Sequence, residues 1–204
     1  GMPIRQSLNN LAELADKSSF RELNCKSWGF DPNRPVVAVF GGSLGSTHIN
    51  SVIQEFLAKY QDRYKEVQII HALGINNELP RATSSYLPQP YFHDMASIYA
   101  SADLLITRSG AVTCSELASL GKYSILIPLP HGNGEQFDNA AALVAQGSAM
   151  MVANDDFSSK WLDQNLSKAL INAANYQPKS IGSNSKSAMK IAELAQALLK
   201  ERAE

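Results

Sequence analysis

The chain has 204 residues, 45% hydrophobic and 18% charged, enough apolar material for one large or two small domains with a sizeable core. A formal net charge of -1 at pH 7 excludes the basic footprint of a nucleic-acid binder. No apolar run reaches the roughly 18 residues of a membrane span, and residues 2–20, which carry Arg5, Glu13, Asp16 and Lys17, do not read as a leader peptide.

Residues 36–40 (VVAVF) form a β-branched apolar run and predict a buried strand. The loop GGSLG at 41–45 follows. Ile49, Val52, Ile53, Phe56, Leu57 and Tyr60 then recur at the spacing of one helix face. A second strand is expected at 67–70 and an edge strand at 84–87. Asp94 reads as the N-cap of a short helix over 95–101. A strand at 104–107 leads into RSG at 108–110 and a helix over 111–120. A strand at 124–127 leads into a loop from Pro128 to Gly134 and a helix over 136–146. A strand at 149–152 and a helix over 158–175 follow. Residues 177–185, rich in Pro, Gly and Ser, read as a loop before a last helix over 186–202.

Strands alternating with helices predict an α/β fold with a Rossmann-like, doubly wound parallel sheet. In such sheets ligands bind outside the carboxyl ends of the strands. The residues after each strand are therefore the candidates. Gly41, Gly42 and Gly45 let backbone N–H groups and a helix N-terminus approach a phosphate, with Ser43 as a further donor, although the same loop also fits a tight turn without a ligand. In the second loop Ser109 reads as an N-cap, and Val112, Leu117 and Leu120 as inward-facing. Glu116 has a carboxylate suited to a vicinal diol such as a ribose, where an isolated Glu would be a solvated helix residue. The third loop offers His131, Gln136 and Asn139, whose amides suit sugar hydroxyls. Tyr91 and Phe92 could face a flat base or simply pack. Together these loops suit a ligand carrying phosphate, a diol and several hydroxyls. A dinucleotide would need the absent GxGxxG fingerprint. Cys25 and Cys114 lack CxxC spacing and no Asp-x-Asp pair occurs, so neither a disulfide nor a metal site is expected.

Residues 36–152 resemble the C-terminal domain of the MurG family of GT-B glycosyltransferases. The resemblance rests on FGGSLG at 40–45, DMASIYASAD at 94–103, RSGAVTCSE at 108–116 and the segment 131–140. GMPIR at 1–5 is similar to the Gly-x-Pro-x-Arg that opens this domain in the family. The resemblance implies one domain over 1–204, with its core at about 34–175, that binds the donor UDP-GlcNAc. Arg5 would approach the diphosphate, Ser43 a phosphate oxygen and Tyr91 the uracil, while the Phe92 backbone would read the uracil edge. Ala111, Val112, Thr113, Cys114, Ser115 and Glu116 would wrap the nucleotide, with Thr113 near a phosphate and Glu116 on the ribose. Gln136 would hold the sugar, and Arg108, Ser109, Gly110, Glu135 and Asn139 complete the expected substrate-binding set. Family members keep Gln where this chain has Leu44, and often where it has Glu135.

The resemblance also implies inverting, metal-independent transfer without a cofactor, converting lipid I to lipid II in peptidoglycan synthesis, a step tied to cell shape and division. The acceptor is undecaprenyl-linked. The enzyme is peripheral to the inner face of the cytoplasmic membrane, with its acceptor site and catalytic base in an N-terminal domain, separate or covalent, that this sequence does not contain. The chain alone is then expected to be inactive. The alternatives are a donor subunit of another GT-B transferase and a non-catalytic UDP-sugar-binding domain.

Overall fold

The computed structural model describes Leu8, Leu11, residues 17–131 and residues 133–178. Arg5, Gly132, the helix expected over 186–202 and most of the loop before it lie outside the described residues. Six strands, β1 (Val36–Phe40), β2 (Gln68–Ala72), β3 (Tyr86–Gln89), β4 (Leu104–Thr107), β5 (Ser124–Leu126) and β6 (Ala149–Met151), make one sheet in the order β3-β2-β1-β4-β5-β6. Every pairing is parallel. The helices are α1 (Lys17–Trp28), α2 (Thr47–Tyr60), α3 (Met95–Ser101), α4 (Ala111–Leu120), α5 (Glu135–Ala145) and α6 (Ser159–Asn175). The Rossmann-like expectation holds, and the expected element bounds fall within about two residues of those observed.

The central strands β1 and β4 are apolar except for Thr107, in keeping with a sheet covered on both faces. Val36, Ala38 and Phe40 point into a cluster with Cys25, Tyr99, Leu117 and Leu143, contributed by α1, α3, α4 and α5. Val37 and Val39 point the other way, into Ile53 and Phe56 of α2 and Leu162 and Leu166 of α6. Burying a side chain such as Phe56 stabilises the fold by about 1.5–3 kcal/mol relative to leaving it in water.

Helix α1 is the element that hydrophobic spacing missed. It carries few apolar residues, and Leu23 lies exposed. Cys25, Phe20 and Trp28 pack the helix on the core, and Arg21 adds a polar anchor. That guanidinium donates to both carboxylate oxygens of Asp103 (3.0 and 2.9 Å) and to the carbonyls of Pro32 and Arg34 (each 2.9 Å). Asp103 in turn accepts from the backbone N–H of Val36 at 2.8 Å, so one fork joins α1 to the starts of β1 and β4. Gly29 ends the helix at φ 74, with Phe30 N–H donating to the Cys25 carbonyl and Gly29 N–H to that of Lys26. That glycine stop was the one local signal for α1.

Asp94 caps α3 as expected. Its carboxylate accepts from the Ser97 N–H at 3.2 Å and from the Ser97 hydroxyl at 2.5 Å. Asp94→Ala is expected to cost about 1 kcal/mol in urea denaturation. A change below about 0.3 kcal/mol would show that packing of Met95 and Ile98 alone holds this helix.

Candidate functional site

Strand register aligns the carboxyl ends that matter. Phe40 lies beside Ala72 on one side and Thr107 on the other, and Thr107 lies beside Leu126. The winding direction reverses between β1 and β4, so the chain segments leaving these two strands diverge and open a crevice. A cleft of about 620 Å³ occupies this position. Its walls come from the β1–α2 loop, the β4–α4 loop, the segment after β5, and Asn154 beyond β6.

On the β1 side, Gly42 and Gly45 adopt φ 101 and 78, and the Gly45 N–H donates to the Gly42 carbonyl at 3.1 Å. Ser46, not recognised from sequence, caps α2 by accepting from the Ile49 N–H at 3.3 Å. The signal was present: a hydroxyl residue between a glycine loop and the first periodic apolar residue of a helix. Ser43 is exposed at the mouth, and Leu44 is 75% exposed.

Arg108 ties the walls together. Its guanidinium donates to the Ser46 hydroxyl at 2.9 Å and to the carbonyls of Ile127 and Pro128 at 3.1 and 3.3 Å. Burial lowers its pKa from the usual value, yet an arginine keeps its charge at any ordinary pH. The cleft thus holds a cation whose position is fixed by three partners. No Asp or Glu lines it among the described residues.

Ser109 does not cap α4. Gly110 occupies the N-cap position without a side-chain bond, and the Ser109 hydroxyl donates instead to the Gln136 carbonyl at 2.8 Å. The Asn139 amide donates to the Ser109 carbonyl at 3.1 Å, so both residues lock α5 against the β4–α4 loop. Gln136 accepts from the Leu129 N–H at 3.0 Å at the cleft wall. Helix α5 also starts without a side-chain cap. Two helices therefore present first-turn N–H groups that no capping side chain covers, beside a cleft with one fixed cation.

The expected site residues do not all meet in one place. Ser43, Arg108, Gly110, Thr113 and Gln136 line the cleft, together with His131. Ala111, Val112 and Glu135 are exposed but do not line it, and Ser115 is half-buried. Cys114 and Glu116 are buried. Val112 was expected to face inward with Leu117 and Leu120 but is 45% exposed. At about 100° per residue it points some 140° away from Leu117, whereas Leu120 is only about 60° away. Burial pushes the Cys114 thiol up to about 11, so it stays protonated in the core. Glu116 is 2% exposed, and the Tyr99 hydroxyl donates to its Oε2 at 2.9 Å. Tyr91 and Phe92 border a separate depression of about 350 Å³ beside α1 and α3. The Phe92 ring is core, edge-on to Phe40 at 6.1 Å, while Tyr91 meets His93 at 5.2 Å. Thr47, His48 and Asn154 line the cleft without having been anticipated, and His48 Nε2 pairs with the Phe157 carbonyl at 2.9 Å.

Residues 36–195 match the glycosyltransferase family 28 C-terminal domain. The chain belongs to this family. The curated relatives of this family 28 domain include UDP-N-acetylglucosamine--N-acetylmuramyl-(pentapeptide) pyrophosphoryl-undecaprenol N-acetylglucosamine transferases. That of Corynebacterium diphtheriae is 37% identical over 194 residues, covering 95% of this chain and 52% of the relative. That of Cutibacterium acnes is 41% identical over 169 residues, covering 76% and 44%. The chain thus spans about half the length of the curated relatives it matches. Among solved structures, MurG of Acinetobacter baumannii superposes with a TM-score of 0.66 at 22% identity, over 92% of this chain and 55% of that one. The calicheamicin glycosyltransferase CalG4 gives 0.59 at 17% identity, over 85% and 46%. These likenesses concern the fold, which is that of one half of a GT-B glycosyltransferase.

Proposed function

We propose that this family 28 domain binds UDP-GlcNAc as the sugar donor of an inverting, metal-independent N-acetylglucosaminyl transfer onto an undecaprenyl-linked acceptor in peptidoglycan synthesis. The observation that carries the proposal is the acid-free cleft at the β1/β4 reversal, with Arg108 fixed in its wall. Curated relatives whose names state this transfer support the choice of donor and acceptor.

The diphosphate lies against Gly41–Gly45, Ser43 and the first turn of α4 at Thr113. Gln136 holds sugar hydroxyls, the segment at Tyr91 and Phe92 takes the uracil, and Glu116 takes the ribose diol by turning its buried carboxylate away from the Tyr99 hydroxyl. Arg5, outside the described residues, approaches the diphosphate. As the bond from sugar C1 to the diphosphate oxygen breaks, negative charge grows on the leaving UDP. Fixed backbone dipoles and a held guanidinium stabilise that charge without reorganising. The acceptor hydroxyl loses its proton to a base supplied by an acceptor domain. The work is done at the cytoplasmic face of the membrane, where the lipid-linked acceptor lies.

Titration calorimetry with UDP tests the donor assignment. Glu116→Gln keeps the shape of the side chain and removes its charge, and is expected to weaken UDP about tenfold (~1.4 kcal/mol). Equal affinity in a folded variant removes the ribose role. Absence of UDP binding by the unmodified chain removes the proposal.

A further inference from the structure

His71, on β2, is 0% exposed and lies outside the cleft, yet its hydrogen bonds lead to the cleft wall. Asn50 Nδ2 donates to the Leu73 carbonyl at 2.8 Å, and Asn50 Oδ1 meets His71 Nε2 at 3.1 Å. His71 Nδ1 meets the Tyr86 hydroxyl at 3.2 Å, and Gln54 Nε2 donates to that hydroxyl at 2.7 Å. The partners dictate the direction of every bond. A carbonyl only accepts, so Asn50 must turn its NH2 to Leu73 and its oxygen to His71. The ring proton therefore sits on Nε2, and Nδ1 accepts from Tyr86. Each buried polar group in the chain from Gln54 to Leu73 thus has its partner.

The chain of bonds ends where the glycine loop touches the sheet. The Leu73 carbonyl packs directly on Gly45: a Cβ at position 45 would lie 1.7 Å from that oxygen. Asn77 Nδ2 bonds both the Leu73 and Leu44 carbonyls, at 3.0 and 3.2 Å. Asn50 itself sits one turn into α2, its N–H on the Ser46 carbonyl at 2.8 Å.

We propose that His71 and Asn50 are positioning residues for the glycine loop: they orient the Leu73 carbonyl against Gly45 and so hold Gly41–Gly45 in the shape that receives a phosphate. Asn77 holds the same carbonyl from the loop side and Asn50, backed by His71, from the sheet side; slackening the second hold shifts the loop, because the two backbones touch without an intervening side chain. The inference rests on the diphosphate lying at this loop. It adds that the affinity for phosphate, and not for the nucleoside, depends on a buried imidazole on the neighbouring strand.

Paired titrations with UDP and uridine, followed by NMR near neutral pH, separate the two. Asn50→Ala and His71→Leu are each expected to weaken UDP about tenfold while leaving uridine unchanged. A folded variant that binds UDP like the unmodified chain overturns the proposal. So does one that loses UDP and uridine in equal proportion, since that marks general damage. Should both variants fail to fold, as circular dichroism would show, Tyr86→Phe replaces them. It removes one hydroxyl, and a selective loss of UDP supports the relay while no change overturns it. An unmodified chain that binds UDP no better than uridine overturns the placement of the diphosphate, and this inference with it. That failure is read in the unmodified protein, the others only in the variants.

Discussion

Replacing Gly45 by alanine is expected to destabilise the domain by more than about 3 kcal/mol, the largest effect of any single methyl group here. Two costs add. The backbone at φ 78 is left-handed, which costs a residue with a Cβ roughly 1–2 kcal/mol. The new Cβ would also lie 1.7 Å from the Leu73 oxygen and 2.6 Å from its carbonyl carbon, so backbone rather than a flexible side chain must yield. The contact is reciprocal: a Cβ at Gly74, φ 107, would lie 2.2 Å from the Leu44 oxygen. The two loops interlock through paired glycines, and moving either displaces β2 from β1 at the cleft. Gly42→Ala is the control, because its φ of 101 is equally left-handed but nothing lies within 4 Å of the added carbon. Urea denaturation of the three proteins should rank unmodified, Gly42→Ala, then Gly45→Ala. Equal stability of the two variants would show that the loop contact yields freely.

Acidification is expected to remove about 3 kcal/mol of stability through His71 alone. Burial lowers its pKa from 6.5 to about 4, and its hydrogen-bond partners Asn50 and Tyr86 carry no charge that would favour an imidazolium. Burial also pushes the Tyr86 hydroxyl up to about 12, so that partner keeps its proton. Between about pH 4 and 6.5 the unfolded chain binds a proton at His71 that the folded chain refuses. Stability is therefore complete above 6.5, falls as pH drops towards 4, and falls no further from this group below that. Carboxylates titrate in the lower part of the same window, so the informative quantity is a difference. Urea midpoints at pH 7, 5 and 4 are compared between the unmodified chain and His71→Gln, which cannot titrate. The unmodified chain should lose more. Parallel pH profiles would mean that His71 is protonated in the fold at little cost.

The sheet could be read from sequence because β1 and β4 are apolar on both faces, which alternating or amphipathic patterns cannot imitate. The glycine loops could be read because they interrupt those runs. What stayed hidden depends on contacts between segments far apart in the chain. Helix α1 has too few apolar residues to show a face, since Arg21 reaches Asp103 instead. Arg108 was expected at the ligand, but the three partners that hold it in the cleft wall could not be read, because they lie on segments remote in sequence. Ser109 stands where a cap is expected, and only the fold reveals that its hydroxyl serves α5. Glu116 is buried with the Tyr99 hydroxyl, two elements earlier, on its carboxylate, which helical spacing cannot disclose.

The reversal of strand order also bears on how the chain folds. β1 meets β2 after one local crossover, but it meets β4 only after the whole of α2, β2, β3 and α3 has intervened. Contacts between distant segments close slowly, because the entropy of a long loop is lost before the pairing repays it. The β1–β4 seam thus favours late assembly of two locally connected halves. The cleft stands over that seam, so it is completed only when the halves have joined. A ligand that fits only the completed cleft therefore stabilises the joined halves over the separated ones.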